Sequence, residues 1–421
     1  MLTPDHLQVS ILIAQYTQGG NVHRVRRTTT LIVAFALLIA GLAACGGDDD
    51  DDSSAGTTDT SEASGETDVE TVTIGQIAHL SGAGETSWGR PVDEGMRLAL
   101  AEIEESGYLE EVGLALELKT EDDASDPTQA ATIYRDFVSQ DFPIIVSSAL
   151  TPVASVLAPM ANEDQVPYIA VGSGGTGDDA ADYFFRMLDV KGTMTTLGEY
   201  LAEEAGDAGV GLILDKDNAA FGPISKLAEA GLPDGFQVTE TVSAQDSDFS
   251  TVLTNLEQEG LGAILLAVAP SQAGNILRQM EEGGGFEDVV KAGHLGWTTE
   301  VSSVAEGAAE GAVFALPWAE GPGDEDFVST FEQEYGAAPT AYAALGHDTG
   351  WLIAVALRRA VEAGDELSGE ALRDALAAAA ADPDLADHNV VDDFSLTEEE
   401  IPSYEGTLVR FDADGAIAPL G

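Results

Sequence analysis

From Val72 onward the chain alternates two hydrophobic periods. Short, nearly uninterrupted apolar runs recur as VTIGQIA (72–78), LALEL (114–118), PIIVSS (143–148), YIAV (168–171), VGLIL (210–214), FQVTETV (236–242) and AILLAV (263–268). Helical stripes lie between most of them. Val92, Met96, Ala99, Leu100 and Ile103 share one face after Pro91, and Gly107 ends that helix. Ala130, Ile133, Tyr134 and Phe137 share another, after the N-cap pair Asp126-Pro127. Apolar strands separated by amphipathic helices predict a parallel sheet covered on both faces. A helix-rich block follows Pro317, and GTLVRFDADGAIAP (406–419) predicts a closing strand pair. The strands are too many for one comfortable sheet. The pattern therefore predicts an α/β fold of two doubly wound lobes, with ligand chemistry at the carboxyl ends of strands.

The front of the chain reads differently. Arg24, Arg26 and Arg27 precede an apolar stretch, Leu31–Ala44, of signal-peptide length and too short to span a bilayer. Leu42-Ala43-Ala44-Cys45 then looks like a bacterial lipobox, which makes the only cysteine, Cys45, the expected lipidation site. Residues 1–44 are expected to be a signal peptide. Residues 1–21 fit no part of its anatomy, so a start near Val22 or Val25 is the alternative. Residues 45–70, with five consecutive aspartates at 48–52, cannot bury apolar area and read as an extended tether. An EF-hand loop would need a Gly and a distal Glu that this run lacks.

Charge sharpens the picture. Seventy-five acidic against 17 basic residues give a net charge of −58. Nucleic acid and anionic lipid are poor partners for such a surface. Screening in concentrated salt would relieve its self-repulsion, so a halophilic setting is expected, with a merely acidic extracytoplasmic protein as the alternative. Catalytic motifs are scarce: there is no HExxH, P-loop, CxxC or G-x-S-x-G, and the six histidines show no metal spacing. No cofactor or metal is implied. Three strand ends stand out instead. VSSALTPVAS (146–155) places Thr151 as an N-cap and Pro152 as a first helical residue, so the helix start could hold a carboxylate; an ordinary cap is the alternative. AVGSGG (170–175) lets backbone N–H groups approach a ligand, or is a plain turn. LSGAGETSWG (80–89) carries Trp88, either a ligand wall or core packing.

In this order the motifs resemble the type I periplasmic solute-binding proteins of the leucine/isoleucine/valine-binding kind. The carriers include IGQIAHLSGAGETSWG, EDDASDPTQAATIYRDFV, VPYIAVGSGG, YFFRM, DSDFSTVL, AGNILRQM and the closing GTLVRFDADG, and the likeness spans about residues 71–420. The resemblance implies two lobes joined by three crossovers near 187–191, 315–318 and 384–391. Lobe 1 would be 71–188 plus 318–385, and lobe 2 would be 189–317 plus 386–421. It implies a carboxylate held by Thr151, Ser173, Gly174 and Gly175, with Trp88 as an aromatic wall. In lobe 2 it implies Phe221, where a Tyr is usual, and Ala269 or Pro270, where another aromatic is usual. His294 stands where an acid would pair with an α-ammonium. Asp217 or Glu300 could then supply that charge, or His294 and Trp297 could face a different group.

The implied protein is a monomeric lipoprotein outside the cell membrane. It would deliver a branched-chain amino acid, or a similar small carboxylate or amide, to an ABC permease. A sensor receptor of the same fold and a surface lipoprotein without transport role are the alternatives; a hydrolase fits less well.

Overall fold

The computed structural model describes residues 69–420, apart from 83–84, 149, 174–181, 219, 393 and 397–401. Every described residue belongs to one compact unit, Gly65–Gly421. The expected signal peptide, Cys45 and the acidic stretch through 68 lie outside the described residues, as do Gly174 and Gly175.

The chain first builds β1 (Glu70–Ala78), α1 (Arg90–Ser106), β2 (Leu114–Asp122), α2 (Pro127–Ser139), β3 (Ile145–Ser147), α3 (Thr151–Asp164), β4 (Tyr168–Ala170) and β5 (Phe184–Arg186). These five strands form an all-parallel sheet in the order β2-β1-β3-β4-β5. β1 begins at Glu70, so the first strand takes up the end of the segment read as tether. Asp126 does cap α2, accepting from the N–H groups of Thr128 (2.7 Å) and Gln129 (3.3 Å).

The chain then passes to a second sheet through α4 (Val190–Ala205), β6 (Val210–Asp215), α5 (Phe221–Glu229), β7 (Phe236–Val242), α6 (Ser250–Glu259), β8 (Ala263–Ala267), α7 (Pro270–Gly283), β9 (Val290–Gly293), α8 (Thr299–Ala305) and β10 (Val313–Leu316). It returns to α1 with α9 (Glu325–Tyr335), α10 (Ala341–Ala363), α11 (Gly369–Ala379) and α12 (Pro383–Ala386). A small ribbon, β11 (Ser395–Leu396) with β12 (Pro402–Ser403), precedes the hairpin of β13 (Thr407–Phe411) and β14 (Ile417–Pro419). That hairpin adds antiparallel strands to the edge of the second sheet, whose order is β14-β13-β10-β9-β8-β6-β7. The periodicity reading missed β5, β9 and β10. Each has only three or four residues.

α10 is buried along nearly its whole length. It crosses α1 where two glycines meet backbone: a Cβ on Gly95 would lie 2.0 Å from the Ala343 carbonyl, and one on Gly346 would lie 2.4 Å from that of Val92. Only glycine permits that approach. Three buried polar residues, His347, Asp348 and Thr349, lie inside α10. Asp348, fully buried, accepts from the N–H groups of Val390 (2.8 Å) and Val391 (2.9 Å) in the segment after α12. His347 lies between Asp348 (3.2 Å) and Glu102 of α1 (2.9 Å). Burial alone would lower its pKa, but the hydrogen bonds and charges of Asp348 and Glu102 outweigh it and raise His347 to about 9.

The passages between the sheets are fastened to each other. Tyr404, before β13, donates its hydroxyl to the Met187 carbonyl (3.1 Å) and accepts from the Asp189 N–H (2.7 Å). The Asp189 carboxylate caps α4 by accepting from Gly192 N–H (2.7 Å), and also accepts from Tyr404 N–H (3.3 Å). Met187, Leu188, Trp318, Val390, Val391 and Tyr404 belong to one apolar cluster that reaches residues of both sheets.

Because the folded pKa of His347 lies above its unfolded value near 6.5, its contribution to stability is complete below pH 6.5. That contribution disappears as pH rises toward 9. Denaturation curves across that window should show stability falling by up to about 1.4 kcal/mol per pH unit. His347→Gln should flatten the slope; an equal slope in that variant would assign it elsewhere.

Candidate functional site

The carboxyl ends of the first sheet gather small hydroxyl residues. β1 runs into His79 and Leu80. His79 is fully buried, with Nδ1 2.9 Å from Asp123. Asp122, at the end of β2, accepts from Leu80 N–H (3.1 Å), Ser81 Oγ (2.6 Å) and Ala124 N–H (2.9 Å). The loop leading to Trp88 is thus tied to β2. Trp88 itself is half-buried, on a π-helical turn, Glu85–Gly89, that opens α1.

Beside it, β3 ends in Ser147 and Ser148. The Ser147 hydroxyl is paired with Tyr168 at 2.5 Å. Ser148 is fully buried, and its hydroxyl has no partner among the described residues. Its backbone is fixed between neighbouring strand ends, donating to the Ile77 carbonyl (3.2 Å) and accepting from Gly172 N–H (2.6 Å). Ser173, 1% exposed, donates its hydroxyl to Thr151 Oγ1 at 3.4 Å. Thr151 differs from its sequence reading. Leu150 is the N-cap and Thr151 the first helical residue, exposed and not capping through its side chain. Pro152 has no N–H, and the N–H groups of Val153 and Ala154 both bond the Leu150 carbonyl (2.9 and 3.0 Å). The first turn of α3 therefore has few free amides for an anion. Hydroxyls are the better donors at this strand end.

The second sheet presents a different surface. Phe221 opens α5, is nearly buried, and stacks obliquely on His294 with ring centroids 4.8 Å apart. His294 follows β9. Its Nδ1 accepts from Gly296 N–H (3.0 Å) and its Nε2–H donates to the Val268 carbonyl (3.0 Å), which fixes a neutral tautomer. Burial lowers its pKa to about 4, against a smaller upward effect of the Val268 bond. With both nitrogens engaged, His294 can offer a ligand its ring face but no hydrogen bond. Trp297 is 2% exposed and packs against Phe314 and Phe411 in the core under β9 and β10, so it does not face a solute. Ala269 is the N-cap of α7 and half-buried. Asp217 is exposed, its carboxylate accepting from Ser243 Oγ and from Ala244 N–H (3.2 Å), and Glu300 is exposed at the start of α8. Sequence reasoning missed Ser148; its signal was the adjacent serine pair at the end of a fully apolar strand.

A separate groove of about 1040 Å³ runs along the ends of α10, α11 and α12. Its cations are already spent: Arg358 pairs with Glu111 and Glu362, and Arg359 with Asp382. Among the described residues no cluster of three or more His, Cys, Asp or Glu could hold a metal. None of their helices is long and apolar enough to cross a membrane.

Two sheets whose carboxyl ends carry hydroxyls on one side and an aromatic wall on the other, joined by buried crossing segments, define a solute-binding protein of the type I two-lobed fold. The sequence profile of the periplasmic binding protein family matches residues 71–410, and the chain belongs to that family. It is 25% identical over 291 residues to Leu/Ile/Val-binding protein homolog 2 of Brucella abortus (strain 2308), covering 66% of this chain and 76% of that protein. It is 22% identical over 286 residues to the leucine-, isoleucine-, valine-, threonine- and alanine-binding protein of Pseudomonas aeruginosa, with the same coverage. The crystal structure of the branched-chain amino acid transporter substrate binding protein of Streptococcus pneumoniae in complex with isoleucine superposes with a TM-score of 0.67. That match is 21% identical and covers 83% of this chain and 98% of the other. A putative branched-chain amino acid ABC transporter protein of Rhodospirillum rubrum gives 0.68 at 24% identity, covering 84% of this chain and 100% of that one.

The ring of His294 should stay neutral well below the usual histidine range. Imidazole nitrogen spectra at pH 5.5 should show one protonated and one bare nitrogen for His294. A doubly protonated ring at that pH would mean that the Gly296 N–H bond to Nδ1 does not hold.

Proposed function

We propose that this chain is the extracytoplasmic binding component of an ABC importer, closing around a branched-chain amino acid or a similar small carboxylate. The observation that carries the reading is the buried hydroxyl of Ser148, without a partner among the described residues, whose backbone carbonyl holds Gly172 just before the Ser173–Thr151 hydroxyl pair. A hydroxyl held out of water without an acceptor weakens the free protein, and a carboxylate supplies the missing acceptor. The half-buried Trp88 and the Phe221–His294 stack are apolar surfaces suited to an aliphatic side chain. Gly174 and Gly175 complete the proposed first-lobe contacts, with Ala269 on the second.

The two sheets act as lobes, residues 71–188 with 318–385 and 189–317 with 386–421, and the solute stabilises their closed arrangement. Cys45 carries the lipid anchor, and the acidic stretch after it holds the folded part off the membrane. The net charge of −58 suits a salt-rich exterior. The chain works as a monomer and hands its solute to a permease. The names of the Brucella, Pseudomonas and Streptococcus proteins support the ligand class.

Calorimetric titration with leucine and isoleucine in high salt tests this. Ser148→Ala should weaken binding by about ten- to a hundredfold, the effect of losing a donor to a charged group. It should leave the free protein at least as stable as before, since the buried hydroxyl lacks a partner there among the described residues. Thr151→Val should weaken binding by about tenfold. Full affinity in both variants would remove this strand end from the site.

A further inference from the structure

The segment 384–391 leads from α12 toward the last strands of the second sheet, and side chains of α10 and of the end of α1 hold it in place. Asp348 accepts from Val390 N–H through Oδ1 and from Val391 N–H through Oδ2. His388 lies flat on Trp351, with ring centroids 3.6 Å apart and planes 2° apart. Tyr108, just past α1, donates its hydroxyl to Asp384 at 3.0 Å.

The two anchors on α10 meet at Glu102 of α1. Its Oε2 lies 2.9 Å from His347 Nε2 and accepts from Trp351 Nε1 at 3.3 Å. His347 Nδ1 lies 3.2 Å from Asp348 Oδ1, the oxygen that also takes the Val390 N–H. Each ring nitrogen of His347 therefore faces a carboxylate. Ionised carboxylates only accept, so both nitrogens carry hydrogen and the ring is an imidazolium. A neutral ring has one N–H and would turn a lone pair toward one of the two acids. Glu102 is half-buried and can swing to water, but Asp348 is fully buried and cannot. Without the proton, Asp348 becomes a buried carboxylate stripped of its cation, which is costly. The other groups around the ring do not replace that charge. α9 presents the ring of Phe327, centroid 5.1 Å away. The segment itself presents His388, whose own charge would oppose that of His347. Opening the segment to water is the way to relieve Asp348.

We propose that the proton on His347 is a latch: while the ring is charged, segment 384–391 stays docked on α10, and when the ring is neutral the segment opens to water far more often. Released there, the two sheets turn on each other more freely. The latch belongs to the joint between the sheets and needs no solute to work.

The docked ring titrates at about 9 and an opened one near 6.5, so the latch is complete below pH 6.5, weakens above it, and is gone past about 9. Residue-resolved amide exchange on the whole chain, corrected for the intrinsic base-catalysed rate, reads it. Protection of Val390 and Val391 should fall by up to about tenfold per pH unit across that window and then level off. Both should open more readily than the Asp189 N–H, which Tyr404 holds in another passage between the sheets. His347→Gln should give these two amides low protection that no longer changes with pH. Glu102→Gln removes one of the two charges at a half-exposed position; it should end the fall at least about one pH unit earlier, and it decides the matter if His347→Gln does not fold. A merely structural contact would not move that window. Protection independent of pH in the parent, an unmoved window in Glu102→Gln, or amides that open only together with Asp189 would each overturn the proposal.

Discussion

The hydroxyl of Tyr404 joins parts of the chain 215 residues apart in sequence. It ties the backbone of Met187 and Asp189, where the chain leaves the first sheet, to the segment that leads into β13 of the second. Asp189 answers with its carboxylate, taking N–H groups from Gly192 and Tyr404. A side chain on Gly192 would meet both the Asp189 carboxylate and the Tyr404 carbonyl within 2.3 Å, so the knot closes only around glycine. Asp348 adds a second fastening, from α10 to Val390 and Val391. Buried polar groups this far from water persist only when satisfied, and here nearly every donor and acceptor is engaged. Two sheets without such a strut would be two small domains on loose linkers. With it they share one axis, and the carboxyl ends of both can meet one small molecule.

What meets at that edge is asymmetric. Lobe 1 offers hydroxyls, one of them buried and without a partner among the described residues. Lobe 2 offers an aromatic ring on a neutral imidazole. The free protein carries a small instability in lobe 1, because Ser148 Oγ has no partner among the described residues. A ligand that satisfies it is favoured when the lobes close, which converts local dissatisfaction into affinity. The wider surface contributes little here. Most ion pairs are exposed, as with Arg278–Glu282 and Lys119–Glu121, and such pairs add little to stability.

Much of this was legible in the alternation of apolar runs and helical stripes. The runs that became β1, β2, β6, β7 and β8 stand out because four or more apolar or β-branched residues lie together, and a parallel α/β sheet follows from them. β5, β9 and β10 were not read as strands; they are about as short as β3 and β4, which were read because the apolar runs PIIVSS and YIAV extend past them. The hydroxyl residues Thr151 and Ser173 were found by their place after strands, but not their pairing, which depends on how β4 returns beside α3. Thr151 was misread as a cap because Thr-Pro fits both N-cap/N1 and N1/N2, and only the backbone of Leu150 decides. His294 could not be read at all. Whether a histidine presents its nitrogens or hides them depends on the carbonyl of Val268, 26 residues away, and on the turn at Gly296.

The account rests on two lobes that close on a solute about a fixed strut. Spin labels on exposed positions after the two strand edges, Val156 on α3 and Ser271 on α7, report the gap directly by electron–electron distance measurement. Saturating leucine should shift the distribution to shorter separations and narrow it. Identical distributions with and without leucine, in a protein that calorimetry shows to be occupied, would contradict the account.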